Sequence, residues 1–154
     1  MIVLPSVHLC YCFNNFREMN DFTEGSGALA RISRLRSLLG IPRGRKFAVG
    51  LWINAELLRK LDCPGAADDL KRTLDRENLY VFTFNIFPHG QFHGAGVKRK
   101  VYLPDWASQE RLDYTCRAAS LLSRLMPEGL QGSLSTLPGA YGIPAPDNHA
   151  ADAV

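Results

Sequence analysis

The sequence lacks long hydrophobic runs and lacks the short motifs that mark the common cofactor and nucleophile sites. A transmembrane helix needs about 20 consecutive apolar residues, and no such run occurs in these 154 residues. A phosphate-binding glycine loop, a dinucleotide-binding glycine fingerprint, an HExxH zinc motif and a GxSxG nucleophile elbow are also missing. We therefore expect a protein that is not integral to a membrane and that uses no Ser or Cys nucleophile.

Cysteine spacing and charge exclude further classes. Cys10, Cys12, Cys63 and Cys116 show no C-x-x-C spacing, which argues against a zinc site and against a disulfide framework. Since the first residues also lack a basic leader and a small-residue cleavage site, the sequence predicts a cytoplasmic protein. The formal net charge is only +3, and neither a helix-turn-helix nor a continuous basic stripe is present, so no nucleic-acid partner is expected.

Strand and helix patterns alternate along the chain. Alternation of strands with helices is typical of parallel βαβ units, and we expect about four of them. A closed (β/α) barrel needs eight units and about 250 residues. The predicted fold is therefore α/β, a partial (β/α) TIM-type barrel over residues 1–142, with a disordered tail at 143–154. The predicted strands occupy residues 7–13, 47–53, 79–84 and 132–137.

Apolar spacings of three and four residues predict which helix faces are buried. After the first strand, Leu29, Ile32 and Leu35 predict one buried face and place Arg36 on the opposite one. Ser108 is the predicted N-cap of the last helix. The predicted buried stripe of that helix consists of Leu112, Cys116, Ala119, Leu122 and Met126.

Polar residues follow or end the predicted strands. In a parallel barrel the carboxyl ends of the strands converge on one mouth, so we expect these side chains to border one pocket for a small polar metabolite. For a single Asn such as Asn54, a turn or helix cap is the alternative. The predicted substrate-binding residues are Asn54, Asn85, Ser135 and Tyr141, and the predicted catalytic residues are His93 and His89.

The two histidines have a spacing that would suit a metal site only on a helix. His89 and His93 are four residues apart, but Pro88, Gly90 and Gly94 argue against a helix there. We therefore assign no metal ligand and expect hydrogen bonding to a hydroxylated substrate, or general acid–base work. The alternative is that one of the two histidines only braces the loop.

Three stretches resemble the metabolite traffic protein EboE family. They are LYVFTFNIFPHGQFHGAGVKRKVYLPDW at 79–106, RLDYTCRAASLL at 111–122 and GSLSTLPGAYG at 132–142, and HLCYCFN at 8–14 is similar too. The resemblance implies a xylose-isomerase-like barrel of about twice this length, of which this chain would be the N-terminal half. It also implies a link to the movement of precursor metabolites across the inner membrane, and similarity to sugar isomerases and epimerases.

Two departures limit what the resemblance implies. The family tends to carry His-Pro-Gly-Glu where this chain has Asn15-Phe16-Arg17-Glu18. Xylose-isomerase-like enzymes also place their metal-binding residues mostly on later strands. The resemblance thus implies no cofactor in this segment and a divalent metal in a full-length protein.

Two functions follow as expectations. The first is a metabolite-traffic protein that handles a small polar metabolite, present here as a partial barrel. The alternative is a divalent-metal-dependent sugar (phosphate) isomerase or epimerase that acts by proton transfer. Because four open units expose strand edges, we also expect self-association.

Overall fold

The computed structural model describes the backbone of residues 2–4, 7–9 and 11–13, and describes residues 27–90 and 101–139 in full. No helix within these ranges is both long and apolar enough to cross a membrane. In chain order the elements are β1 (Ile2–Leu4), β2 (Val7–Leu9), β3 (Tyr11–Phe13), α1 (Gly27–Leu38), β4 (Phe47–Trp52), α2 (Ala55–Leu61), α3 (Ala66–Arg76), β5 (Leu79–Asn85), α4 (Gln109–Leu125) and β6 (Ser133–Ser135).

Four of the strands form one parallel sheet in the order β3-β4-β5-β6. Each strand pairs in parallel with the next one along the chain, and α2, α3 and α4 lie in the crossover connections. The prediction of four adjacent parallel strands in an α/β protein is confirmed. Within the described residues β3 and β6 are the sheet edges, and association through them stays a prediction.

The first predicted strand, residues 7–13, is not one continuous strand. Its first half, β2, pairs antiparallel with β1 in a separate two-stranded sheet, where Ile2 lies opposite Leu9. Only β3 joins the parallel sheet. The prediction was wrong because an apolar run indicates an extended backbone but does not indicate which partner each half pairs with. The last strand, β6, is also shorter than the predicted 132–137.

The hydrophobic core lies between the parallel sheet and the helices. Every residue of β4 is buried, and Val49 and Leu51 belong to the core cluster together with Val81 and Phe84 of β5. Two core residues of β5 are three positions apart because the register shifts between Val49 and Gly50. A bulge of this kind turns the strand so that both side chains meet the helices.

Helix boundaries follow the predicted caps. Asn54 Oδ1 accepts a hydrogen bond from the Leu57 amide at 2.8 Å, at the start of α2. Ser108 Oγ accepts one from the Glu110 amide at 3.2 Å, at the start of α4. Asn78, beyond the end of α3, adopts a positive φ of 51°, a conformation that Asn tolerates better than most residues. These boundaries are set by local chemistry.

Arg36 is buried, contrary to the prediction that it lies on the exposed face of α1. Its side chain is 4% exposed, and its guanidinium donates to the carbonyls of Glu77 at 2.9 Å and Pro42 at 2.8 Å. These contacts tie the segment before β4 to the end of α3. The spacing rule failed because it treats every arginine as a surface residue, whereas backbone carbonyls here accept hydrogen bonds from the two terminal nitrogens of Arg36.

The buried face of α4 is also rotated from the predicted stripe. Cys116 is exposed and Leu112 is 46% exposed. Arg111 and Tyr114 are buried instead, because their polar ends reach buried carbonyls while their stems pack in the core. The observed buried face consists of Arg111, Tyr114, Ala118, Leu121, Leu122 and Leu125.

Arg111 is the main tie between α4 and the segment after β5. Its side chain is fully buried, at 0% exposure. Its Nε donates to the Pro104 carbonyl at 2.8 Å, and its two terminal nitrogens donate to the Ile86 carbonyl at 3.2 Å and the Phe87 carbonyl at 3.4 Å. One side chain thus fixes both the exit of β5 and the loop that leads into α4.

We predict that Arg111→Met lowers the free energy of unfolding by about 2–4 kcal/mol, because three carbonyls lose their donor inside the protein. Arg111→Lys keeps the charge but lacks the planar guanidinium, so its free energy of unfolding should lie between those of the wild type and Arg111→Met. Urea denaturation measures both effects.

The matched control is Arg117→Gln on the same helix. Arg117 forms an exposed ion pair with Asp62, so we expect a change of no more than about 1 kcal/mol. If Arg111→Met and Arg117→Gln lowered the free energy of unfolding equally, the buried contacts of Arg111 would stabilise the protein no more than an exposed ion pair does.

Candidate functional site

The parallel sheet has a second face with polar groups near the carboxyl ends of β5 and β6. Phe84 belongs to the core cluster and Leu134 packs against it. Because successive side chains of a strand point to opposite faces, the residues on either side of them lie on the face turned away from the core. We call these four positions the polar face: Thr83, Asn85, Ser133 and Ser135.

Strand register aligns the polar face into two rows. Thr83 lies opposite Ser133, and Asn85 lies opposite Ser135. The hydroxyls of Ser133 and Thr83 are hydrogen-bonded at 2.8 Å between Oγ and Oγ1. Two of the predicted binding residues, Asn85 and Ser135, are therefore direct neighbours across the sheet.

Asn85 also shapes the backbone that follows it. Its Oδ1 accepts a hydrogen bond from the Phe87 amide at 3.1 Å, an Asx-type turn. That bond occupies one lone pair of Oδ1 and does not involve the Nδ2 donor. Beside this row, the Oγ1 of Thr136 is buried with no hydrogen-bond partner among the residues that the structure describes.

Asn54 takes the helix-cap position. Its Oδ1 holds the first turn of α2, which is the alternative weighed for single asparagines. Its role in substrate binding stays a prediction. His93 and Tyr141 lie outside the described residues, so their roles stay predictions as well.

His89 lies between α2 and α4. Its carbonyl accepts a hydrogen bond from the Ala55 amide at 2.9 Å, and its ring packs edge-on against Tyr114 with 4.8 Å between centroids. Its Nε2 lies 3.5 Å from Glu110 Oε1, and its side chain is 19% exposed. The imidazole is thus held by an aromatic contact and faces a carboxylate.

A cleft of about 370 Å³ opens beside this imidazole. We call it the helical cleft. Asn54, Asn85 and Ser135 are not among its lining residues, so the cleft does not bring His89 together with these predicted binding residues. The residues that line the helical cleft are Ala55, Arg59, His89, Gln109, Glu110, Asp113, Tyr114 and Arg117.

Burial sets the protonation of His89 and Tyr114, which form the floor of the helical cleft. Desolvation lowers the pKa of His89 below its usual 6.5; Glu110 opposes this shift, and the cations Arg111 and Arg59 add to it. Burial raises the pKa of Tyr114, whose hydroxyl donates to the Ile53 carbonyl. At neutral pH the floor is therefore a neutral imidazole beside a neutral phenol.

Among residues 27–90 and 101–139, no three His, Cys, Asp or Glu side chains converge on one point. His89 and Glu110 form a pair, and a metal site requires further ligands at suitable geometry. The described residues therefore do not assemble a metal site by themselves.

Sequence reasoning missed Thr83 and Ser133. Only one face of β5 is buried, because Tyr80, Phe82 and Thr83 are half-buried. The signal that could have found Thr83 is its place next to the large apolar Phe84, since strand alternation then puts its hydroxyl on the other face.

Comparison of the chain with protein-family models, with curated proteins and with solved structures gave no match. The resemblance of residues 79–106 to the metabolite-traffic family remains an interpretation of the sequence.

We predict that His89 makes the protein less stable at low pH. Because its pKa is lowered in the folded state, the unfolded chain binds the proton more tightly. The stability that His89 contributes is present above pH 6.5 and is lost as the pH falls through the folded-state pKa. Replacement by glutamine, His89→Gln, should remove this part of the pH dependence, measured by denaturation at several pH values.

Glu110→Gln is the companion variant. Glu110 raises the pKa of His89, so removing its charge should lower that pKa further, as followed by NMR titration of the imidazole. A pKa of His89 above 6.5 in the wild type would contradict the expected loss of stability at low pH, and an unchanged or higher pKa in Glu110→Gln would contradict the assigned effect of Glu110.

Proposed function

We propose that this chain is the N-terminal half of a (β/α) barrel protein of the metabolite-traffic type, which binds a small polar metabolite. The sequential parallel order β3-β4-β5-β6 supports this proposal, because consecutive barrel strands are arranged in that way. The resemblance of residues 79–106 to the EboE family supports it as well.

The observation that carries the proposal is the polar face. Barrel proteins bind ligands at the carboxyl ends of their strands, and Asn85 and Ser135 are the last residues of β5 and β6. The polar face presents hydroxyls and an amide and carries no charged side chain. Neutral donors and acceptors suit an uncharged, hydroxylated ligand. A polyol or sugar-like metabolite fits this description best.

A sugar (phosphate) isomerase or epimerase is the second candidate. His89 favours it, because burial keeps the imidazole neutral at pH 7 and a neutral imidazole can accept a proton from a substrate. In that case a divalent metal would require ligands beyond the pair His89 and Glu110. Since His89 faces the helical cleft and not the polar face, binding without chemistry is the better supported function.

We predict that Asn85→Asp weakens the binding of a sugar or polyol about tenfold. The aspartate keeps an acceptor for the Phe87 amide and loses the Nδ2 donor, and one hydrogen bond contributes about 0.5–1.5 kcal/mol. Ser135→Ala should weaken binding to a similar degree. Calorimetry or NMR titration of the full chain with a panel of pentoses, hexoses and polyols measures the effect.

Ser123→Ala is the matched control, because Ser123 is exposed on α4 and outside the polar face. If no panel member binds, or if all three variants bind as the wild type does, the proposal fails. Incorporation of solvent deuterium into a bound sugar in the presence of Mg²⁺ or Mn²⁺ would instead favour the isomerase.

A further inference from the structure

The helical cleft carries opposite charges on its two walls. Arg59 of α2 stands on one wall, and Glu110 and Asp113 of α4 stand on the other. Arg117 also lines the cleft, but its charge is used in the ion pair with Asp62. That ion pair joins α2 to α4 and helps to fix the separation of the walls.

The opposite charges that line the cleft do not form ion pairs with each other. Among the described residues Arg59 makes no ion pair, although two carboxylates line the same cleft. Asp113 accepts one hydrogen bond, from Gln109 Nε2 at 2.8 Å, and Glu110 contacts His89. Arg59 therefore lies beyond ion-pair distance of both carboxylates.

We propose that the helical cleft binds a small zwitterionic ligand of the amino-acid type, with its carboxylate at Arg59 and its ammonium group at Glu110 and Asp113. With Arg117 paired to Asp62, the cleft presents the cation of Arg59 and the carboxylates of Glu110 and Asp113. A lone anion is opposed by the two carboxylates and a lone cation is opposed by Arg59, whereas a zwitterion pairs with both walls at once.

The size and floor of the cleft suit such a ligand. A volume of about 370 Å³ lies at the low end of the range for small-molecule sites. Tyr114 and His89 form the floor by their edge-on contact, and the Tyr114 hydroxyl is held by the Ile53 carbonyl. A floor that is already fixed costs little to order when a ligand binds.

This site does not depend on the proposed function, because the polar face and the helical cleft share no residue. Sugar binding at the polar face and zwitterion binding in the cleft can therefore fail independently. Variants of Asn85 or Ser135 should leave the cleft unaffected.

The probes are glycine, β-alanine and 4-aminobutyrate, whose two charges are separated by increasing distances. Acetate and methylammonium supply each charge alone. We expect NMR titration of the full chain at pH 7 to show saturable shifts at the amides of Arg59, His89 and Glu110 for at least one zwitterion. The dissociation constant should be millimolar, as exposed charge pairs give, and acetate and methylammonium should bind about tenfold more weakly.

Arg59→Gln and Glu110→Gln should each weaken this binding about fivefold, the size typical of one exposed charge pair. The matched control is Arg76→Gln, an exposed arginine in the last turn of α3, which should leave binding unchanged. All three variants should keep the wild-type melting temperature, because the replaced side chains are exposed.

Three results would overturn the proposal. One is acetate binding as tightly as the best zwitterion, which would define an anion site. Another is an equal loss of zwitterion affinity in Arg59→Gln and Arg76→Gln, which would show that binding depends on the net charge of the protein and not on Arg59. The third is no saturation by any zwitterion up to about 100 mM.

Discussion

A single buried guanidinium, that of Arg111, holds the end of the sheet on which both candidate sites depend. Loop carbonyls at a strand end have no ladder partner, and a buried carbonyl without a donor is costly. Arg111 supplies donors to Ile86 and Phe87 after β5 and to Pro104 before α4. Asn85 precedes this fixed pair and His89 follows it closely. The same contacts therefore hold the backbone between these two residues.

Arg36 binds backbone carbonyls in the same way at the amino end of the sheet. It is bound by carbonyls of the segment before β4 and by that of Glu77 before β5. The terminal nitrogens of Arg36 make these hydrogen bonds, which offset much of the cost of leaving water, whereas its Nε is buried with no hydrogen-bond partner among the described residues. With one such residue at each end, the connections at both ends of the central strands are held by side chains as well as by the core. The sheet is thereby a rigid support for residues beyond its strands.

Local chemistry made part of this structure predictable, and non-local hydrogen bonding made the rest unpredictable. The caps Asn54 and Ser108 and the two central strands follow from neighbouring residues. Parallel register then places Asn85 opposite Ser135, whereas their place in one pocket stays a prediction. The buried face of α4 was missed because hydropathy spacing does not register that Arg111 has carbonyl partners about 25 positions earlier. The partner of residues 7–9 was likewise a question of pairing, which an apolar run does not answer.

The separation of His89 from the polar face bears on whether the protein binds or converts its ligand. Proton transfer requires a base within hydrogen-bond reach of the substrate, directly or through one water. His89 is engaged with Tyr114 and Glu110 in the helical cleft, so a ligand on the polar face would need another base. His93, the other predicted catalytic residue, lies outside the described residues. Binding at the polar face needs only the hydroxyls and the amide already aligned there by strand register, whereas catalysis at that face needs an additional group. We therefore propose recognition of a neutral metabolite at the polar face in preference to its chemical conversion.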